Sequence, residues 1–334
     1  MRHFILSLIL IFTSLEGISQ EPFPFLNKSN QLPKDLLSKR AVVFMNVNSL
    51  KWDEEAKKIH DSFIEIGVDA VAYYALSDIM SGEDATTAFY SDITDRSIEN
   101  MLIIHQSDIG FELYATKIPE EGGFFQNGMQ AFFMEAKSLK KLGADLQFLV
   151  NKSDLERENF LIIDVPETFK RTNVIKSRRV ANFNPDIRID KLAVPKFESN
   201  IMLDVDIEKA NAELDSIMNQ HYPFKYGLVD PGMSAEELIS EGYLMVLKKL
   251  QNNGESLRRM LGYDLSEGET ILISVRKGEN DKVMKYRIDE NVHKYYVQQL
   301  YTKDIYLGDS WDAGKTWQEA LINHVENLKA KLKK

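Results

Sequence analysis

The stretch AVVFMNV, Ala41–Val47, begins the part of the chain in which the order of structural elements is clearest. A short and mostly apolar run of this kind predicts a buried strand. The segment after it repeats apolar residues at helical spacing, at Trp52, Ala56, Ile59, Phe63 and Ile66. Gly67 then predicts the end of that helix, and the apolar Val68–Leu76 predicts a second strand. This order of strand, helix and strand favours an α/β fold.

The remainder of the first half predicts a hairpin and one more helix. Met101–His105 and Phe111–Ile118 are apolar and flank the polar turn Ser107–Gly110, which is typical of two antiparallel strands. The helix is predicted over Met129–Leu142, with Gly143 as its end.

The second half repeats the order strand, helix, strand, helical segment, hairpin and helix. The corresponding segments are Asn200–Val205, the helix that carries Ile207, Ala210, Leu214 and Ile217, then Tyr222–Val229, Ser234–Glu241, Tyr243–Leu250, the hairpin Thr270–Arg276 with Val283–Ile288, and Asn291–Tyr301. The offset between the halves is about 160 to 170 residues, so an internal duplication is predicted. Chance agreement between two α/β modules is the alternative.

We therefore expect an α/β or α+β fold with two similar modules, each with a mixed or antiparallel sheet, a terminal hairpin and packed helices. The predicted divisions are a signal peptide at 1–19, an N-terminal tail at 20–39, a first module at 40–169, a connector at 170–199 and a second module at 200–334. The tail, which contains several prolines and asparagines, is expected to be poorly ordered.

Part of the second half resembles small α/β modules of bacterial envelope proteins. The residues that carry the resemblance are HYPFKYGLVD, His221–Asp230, a short helix, and GYLMVLKKL, Gly242–Leu250. Over Ile201–Ile288 this order is similar to the amino-terminal domain of TolB and to CsgG-type modules, although the insert Gln251–Glu269 departs from it. The resemblance implies a binding or assembly role in the envelope rather than catalysis, and it assigns no site residue.

The first nineteen residues have the pattern of a secretory signal. Arg2 precedes the apolar run Phe4–Phe12, and Gly17–Ser19 supplies the small residues that a signal peptidase reads. Because a membrane span needs roughly 20 apolar residues, this run is too short to cross a bilayer. We expect cleavage near Ser19/Gln20, a periplasmic or secreted protein, and no transmembrane span after cleavage. An uncleaved N-terminal anchor is the alternative.

The composition excludes several classes of site. The chain has no cysteine, which rules out disulfides, thiolate metal sites and a cysteine nucleophile. With 41 basic and 51 acidic residues its formal charge is −10, which does not favour binding to nucleic acid. The apolar fraction of 44% is enough for each half to bury a core of its own.

Two segments imitate nucleotide-binding motifs. In GDSWDAGKT, Gly308–Thr316, five residues separate the two glycines, whereas a phosphate-binding loop has four. Asp309 and Asp312 also place negative charge where a phosphate would lie. The NKSD of Asn151–Asp154 matches a guanine-reading motif, but it precedes the false loop instead of following it. No nucleotide, and no other cofactor, is predicted.

The same stretch has a simpler structural interpretation. Thr316 and Glu319 form the T-x-x-E pattern of a capping box. The apolar and aromatic residues that follow repeat at helical spacing, at Trp317, Leu321, His324 and Leu328. The stretch therefore predicts the start of a C-terminal amphipathic helix.

Catalytic and metal-binding patterns are incomplete. The sequence has no GxSxG elbow, and none of its six histidines lies four residues from another, so neither a serine hydrolase nor a metal site is predicted. A calcium-like start at Asp204 fails because Lys209 stands where the loop needs glycine. His105 and Asp164, which lie at or near the ends of apolar runs (for Asp164, the predicted buried strand Phe160–Val165), are candidates for a general base.

One basic cluster stands out in the acidic chain, at Lys170, Arg171, Lys176, Arg178 and Arg179. Such a patch is a candidate contact for an anionic envelope component or an envelope protein, and a solvated connector is the alternative. Taken together, the sequence favours an exported, non-catalytic binding or assembly protein of the bacterial cell envelope. The alternative function is an exported hydrolase whose site is built from dispersed residues near His105 and Asp164.

Overall fold

The structure is a computed structural model and confirms the predicted α/β class. It describes residues 22–48, 51–169, 175, 177–198, 206–266, 268–278 and 281–333. Two mixed sheets, one of seven strands and one of six, form the framework, and a separate two-stranded hairpin accompanies them.

The first sheet is built from the first half of the chain. Its elements in chain order are β1 (Leu26–Ser29), β2 (Arg40–Asn46), α1 (Trp52–Ile66), β3 (Asp69–Ala75), α2 (Leu76–Ile79), α3 (Glu83–Asp95), β4 (Ile98–Ser107), β5 (Gly110–Lys117), β6 (Met129–Ala136), α4 (Leu139–Asn151) and β7 (Glu167–Thr168). The strands lie in the order β1-β6-β5-β4-β2-β3-β7. The strands β2, β3 and β4 are parallel, and the predicted hairpin β4–β5 is antiparallel.

The helices cover this sheet as the apolar spacing predicts. The face of α1 that carries Ala56, Ile59 and Phe63 is buried with α4 on one side of the sheet. Gly67 ends α1 with a φ of 97°, a left-handed conformation that glycine adopts without steric cost. The helix α3 packs on the opposite side of the sheet through Ala85 and Phe89.

The second sheet is built from the second half. Its part of the chain forms β8 (Arg179–Val180), β9 (Leu192–Pro195), α5 (Ile207–His221), β10 (Tyr226–Val229), α6 (Ala235–Ser240), β11 (Met245–Asn253), α7 (Gly254–Met260), β12 (Ile271–Arg276), β13 (Lys282–Arg287), β14 (Asn291–Gln299), β15 (Ile305–Tyr306) and α8 (Trp317–Leu332). The order in the sheet is β10-β9-β11-β14-β15-β8. The predicted hairpin is present as β12–β13 and forms a separate two-stranded sheet.

Both sheets contain the same central arrangement. In the first, β2 lies between its parallel neighbours β3 and β4, and in the second β9 lies between its parallel neighbours β10 and β11. The strands β8 and β9 lie within 170–199, the segment predicted as a connector, and they join the second sheet. The predicted strand Asn200–Val205 lies outside the described residues. A common origin of the halves stays a prediction.

Two segments that were each predicted as one helix contain a strand. Met129–Leu142 was predicted as one helix, but β6 ends at Ala136 and α4 begins at Leu139, so Gly143 lies inside α4. A Cβ on Gly143 would meet Ser62 Oγ of α1 at 2.4 Å, which shows that this glycine permits close helix packing instead of ending a helix.

The second segment that was predicted as a helix, Asn291–Tyr301, contains the strand β14. This strand is paired on both sides, with β11 and β15. In β6 the ladder hydrogen bonds and the burial of Phe side chains outweigh local helix propensity, whereas the Val and Tyr residues of β14 themselves favour a strand.

Two further predictions are wrong, one about the order of the N-terminal segment and one about a buried strand. The N-terminal segment expected to be poorly ordered packs against the first sheet, because Phe23 and Phe25 are buried and β1 pairs with β6. The predicted buried strand Phe160–Val165 is irregular and exposed instead, with Leu161 at 92% exposure. An apolar run alone therefore does not identify a buried strand here.

The two halves share one hydrophobic core. Phe44 and Phe89 of the first half belong to the same cluster of buried residues as Leu272, Tyr286 and Tyr296 of the second. In the hairpin β12–β13, the buried Met284 and Tyr286 alternate with exposed residues and belong to this cluster. The second sheet has a separate core on its other face, between α5 and α8.

The predicted signal segment, residues 1–19, lies outside the described residues. Within the described part of the chain, no helix combines the length and the apolar character that a membrane crossing requires.

Candidate functional site: a polar cavity where the two sheets meet

A cavity of about 610 Å³ lies at the carboxyl ends of β2 and β3. The second half of the chain closes it with the end of β11, the first turn of α7 and the turn between β13 and β14. The parallel strands β3 and β4 lie on opposite sides of β2, so the order in which strands join the sheet reverses at this point. In open α/β sheets, ligands bind outside the carboxyl ends of the strands at such a reversal.

A tight backbone contact between the halves positions this cavity. The N–H of Gln251 on β11 donates to the carbonyl of Ser81 at 2.7 Å. Next to it, Gly82 has a φ of 152°, and a Cβ there would lie 2.6 Å from the carbonyl oxygen of Lys249. A glycine is therefore required where the corner between α2 and α3 touches β11.

Asn252 anchors the same corner from the other half. Its Nδ2 lies 2.8 Å from Asp78 Oδ1, 2.8 Å from Ser81 Oγ and 3.1 Å from the carbonyl of Ser77. Burial raises the pKa of Asp78 to about 6, although hydrogen bonds from Ser256 and Asn252 act in the opposite direction. The wall of the cavity thus contains a buried carboxyl group that titrates close to neutral pH.

The raised pKa of Asp78 predicts a specific dependence of stability on pH. The folded pKa of about 6 lies above the unfolded value near 3.8, so the native state binds the extra proton. The contribution of Asp78 to the free energy of unfolding should therefore decrease as pH rises from about 4 to about 6. Asn stays neutral at every pH, so we expect Asp78→Asn to lose this slope. Between pH 4 and pH 7 the variant should therefore gain stability relative to the wild type, by up to about 3 kcal/mol.

Urea unfolding of both proteins between pH 4 and pH 8 measures the difference. Asp281→Asn, at an exposed position on the hairpin, is the matched control and should follow the wild type throughout. Parallel pH profiles for Asp78→Asn and wild type would contradict the assignment of the slope to Asp78.

The charged groups around the cavity are mostly paired with one another. Arg259 pairs with Glu255, one turn earlier on α7. Arg287 binds both carboxylate oxygens of Asp289, at 2.8 and 2.5 Å, and this hydrogen bond lowers the pKa of Asp289. The lining itself contains three acidic side chains and one basic side chain, so the cavity does not favour anions.

Side-chain amides supply most of the remaining polar lining. They belong to Asn46, Asn48, Asn252, Asn253 and Asn291. An amide both donates and accepts hydrogen bonds, which is also what a hydroxyl group does. The cavity is therefore suited to a neutral ligand with several hydroxyl groups.

His105 lies at the carboxyl edge of the first sheet, as the sequence predicts, and stands beside the cavity without lining it. It is opposite Asn46 in the β2–β4 pairing, and Asn46 Nδ2 donates to His105 Nδ1 at 2.9 Å. The Phe23 ring packs edge-on against the imidazole. His105 thus orients Asn46, which does line the cavity.

Asp164 lies far from His105. It belongs to the exposed segment 160–165, where the Ile163 carbonyl lies 2.8 Å from His60 Nε2. Leu161 and Ile163 stand beside Arg40 and Asp69, which begin β2 and β3. This is the amino-terminal edge of the sheet, so the structure does not bring His105 and Asp164 together.

The basic cluster is described only in part. Lys170, Arg171 and Lys176 lie outside the described residues. Arg178 binds both carboxylate oxygens of Asp304, at 2.9 and 2.5 Å. Arg179 donates to the carbonyl groups of Ile175 and Met260, and burial lowers its pKa. Both described arginines therefore hold parts of the second half together.

The stretch that imitates a phosphate-binding loop has a structural role. Asp312 is fully buried, with its Oδ1 2.7 Å from Lys294 Nζ and its Oδ2 3.1 Å from His324 Nδ1. Burial acts to raise the pKa of Asp312, but Lys294 and His324 together outweigh burial and leave that pKa lowered. Thr316 caps α8 by accepting from the N–H of Glu319, as predicted, but the Glu319 carboxylate accepts from the N–H of Lys315 at 3.0 Å and so does not complete the capping box.

Sequence reasoning missed Asp78 and Asn252. Asp78 lies in α2, three residues after the end of β3, and Asn252 is the penultimate residue of β11, so both lie near the carboxyl end of a strand, the position that made His105 a candidate. The rule of strand ends could therefore have found them. Which strand ends face each other depends on the packing of the two halves, and no local pattern contains that information.

Comparisons of the chain with protein-family models, curated proteins and solved structures found no match. Across the described ranges, no group of three or more His, Asp or Glu side chains is placed to hold a metal ion.

Proposed function

We propose that this chain is an exported, non-catalytic binding protein of the bacterial cell envelope, and that its central cavity takes a small neutral polyhydroxylated ligand such as a sugar. The observation that carries the proposal is the amide-rich lining at the carboxyl ends of β2 and β3. The envelope location is supported by the signal-like pattern of residues 1–19.

The chemistry of the lining favours a sugar over other small molecules. Vicinal hydroxyl groups pair well with planar amide and carboxylate groups, which the cavity presents from both halves of the chain. Its volume of about 610 Å³ lies in the range of small-molecule sites. The excess of acidic groups disfavours phosphorylated ligands.

Calorimetry of the purified protein with a panel of neutral mono- and disaccharides tests the proposal. At least one sugar should bind saturably and raise the melting temperature. The variant Asn48→Ala/Asn291→Ala removes two exposed lining amides and should weaken binding by at least about fivefold, since a hydrogen bond contributes about 0.5–1.5 kcal/mol.

Asn30→Ala is the control for these substitutions, because Asn30 is exposed and stands outside the cavity lining. Equal affinity in the double variant and the control would contradict the proposal. So would the absence of saturable binding by every sugar in the panel.

Hydrolysis in the same cavity is the second candidate, because Asp78 has a pKa of about 6 and could exchange a proton with a bound ligand. Incubation of each bound sugar glycoside with the protein distinguishes the two functions. Release of product that Asp78→Asn abolishes would favour a hydrolase, whereas unchanged glycoside favours a binding protein.

A further inference from the structure

A second cavity, of about 320 Å³, lies at the corresponding point of the second sheet. The strands β10 and β11 lie on opposite sides of β9 and run parallel to it, so the order in which strands join this sheet also reverses at its central strand. The cavity is lined by residues that follow β9 and β10 and by Lys249 on β11. It thus occupies the crevice where an α/β sheet places a ligand.

Lys249 is the one basic side chain here without an acidic partner among the residues that the structure describes. Its Nζ makes no hydrogen bond or ion pair with them and lies 4.6 Å from the centre of the Phe197 ring. Burial lowers the pKa of Lys249 to about 8. A half-buried ammonium with only an aromatic face beside it is costly to keep charged, unless an anion joins it.

Phe197 is held firmly in this position. Its backbone N–H donates to Asn211 Oδ1 at 2.7 Å, and its carbonyl accepts from Asn211 Nδ2 at 3.0 Å. Its ring packs edge-on against Trp317, with 4.8 Å between the ring centres. The aromatic wall beside Lys249 is therefore built into the fold.

Two further polar atoms on the same face have no partner among the described residues. Tyr295 lies directly opposite Lys249 in the β11–β14 pairing, and its buried hydroxyl makes no hydrogen bond. The buried Nδ1 of His293, two residues away on β14, also has none. Burial and the charge of Lys249 lower the pKa of His293 to about 4, so this ring is neutral at pH 7.

The other charged groups around the cavity already have partners or face the solvent. Lys196 pairs with Asp230 at 2.8 Å. Lys248, on the opposite face of β11, pairs with Glu83 and Asp84. Glu198 is exposed. None of these carboxylates is paired with Lys249.

From this arrangement we propose that the crevice of the second sheet binds a small carboxylate ligand, with Lys249 as its counter-ion. The ammonium of Lys249 pairs with the carboxylate, and the hydroxyl of Tyr295 is available to donate to it. The apolar walls of the cavity, which include Leu214, Val229 and Leu238, take an aliphatic body. This ligand is distinct from the neutral ligand of the central cavity.

Calorimetry with acetate, butyrate and hexanoate tests the proposal, with hexanamide as the uncharged control. We expect hexanoate to bind best, because its chain reaches the apolar walls, and hexanamide to bind at least tenfold more weakly. Equal binding of hexanoate and hexanamide, or no saturable binding of any carboxylate, would overturn the proposal.

The substitution Lys249→Met keeps an unbranched side chain of similar size and removes its charge, so hexanoate affinity should fall at least tenfold. Lys285→Met makes the same change at an exposed position on β13 outside the cavity lining, and it should leave hexanoate affinity unchanged. Circular dichroism checks that both variants are folded. A Lys249→Met protein that is folded and binds hexanoate like the wild type would refute the assignment.

The pH dependence gives an independent readout. Binding needs the protonated amine, so affinity should be constant well below pH 8 and fall by about tenfold per pH unit above it. Lys249→Arg keeps its charge at all these pH values, and a hexanoate complex of this variant should lose that dependence. A flat profile in the wild type would show that Lys249 is not the counter-ion.

Discussion

Replacing Lys294 with Met should lower the free energy of unfolding by about 3–5 kcal/mol, because it leaves a buried carboxylate without its counter-ion. Lys294 and Asp312 are both fully buried, with 2.7 Å between Nζ and Oδ1. The ammonium also donates to the carbonyl groups of Tyr295 and Leu307. Urea unfolding of wild type and variant at pH 7 measures the loss.

Two comparisons separate this effect from a loss of packing. Lys285→Met, at an exposed position on β13, should change stability by no more than about 0.5 kcal/mol. The double variant Lys294→Met/Asp312→Asn removes both charges and should be more stable than Lys294→Met alone. If the double variant is instead less stable than the wild type by the sum of the losses of the two single variants, Lys294 and Asp312 do not act as a pair.

Replacing Asn252 with Leu should cost about 1–3 kcal/mol, because it removes the donor to Asp78 and Ser81 and leaves buried acceptors unpaired. The two side chains have the same number and branching of heavy atoms, and Leu is the larger, so the loss reports on hydrogen bonding and not on cavity formation. The effect should be larger at pH 7.5 than at pH 4.5, since Asp78 is ionised only at the higher pH. Urea unfolding at the two pH values measures both quantities.

The matched control is Asn291→Leu, the same substitution at an exposed residue that lines the same cavity. We expect it to change stability by no more than about 0.5 kcal/mol. A loss at Asn291 equal to that at Asn252 would mean that the contact with Asp78 does not anchor the two halves.

Local periodicity was enough to predict the parts of the fold in which a helix or strand has one buried face. The helix α1, with apolar residues from Trp52 to Ile66, and the hairpin β12–β13 are examples. It failed at β6, which contains helix formers such as Met, Glu and Ala, and at β14, whose Val and Tyr residues favour a strand; both strands pair on both sides. Those pairings join distant segments, so the stabilisation they provide leaves no local pattern.

The candidate sites were less predictable than the fold. The strand-end rule placed His105 at the correct edge, but Asp164 lies at the opposite edge because Phe160–Val165 is not a strand. Both cavities depend on residues that only packing brings together, as Asp78 and Asn252 show. Lys249 gave no signal at all, since a lysine in a strand usually reaches solvent.

The core common to both halves has a consequence for synthesis of the protein. When the first half has left the ribosome, Phe44 and Phe89 still lack the neighbours that Leu272 and Tyr286 provide. This nascent intermediate therefore exposes an apolar surface until the hairpin β12–β13 has been translated, and we expect chaperones to bind it during that interval.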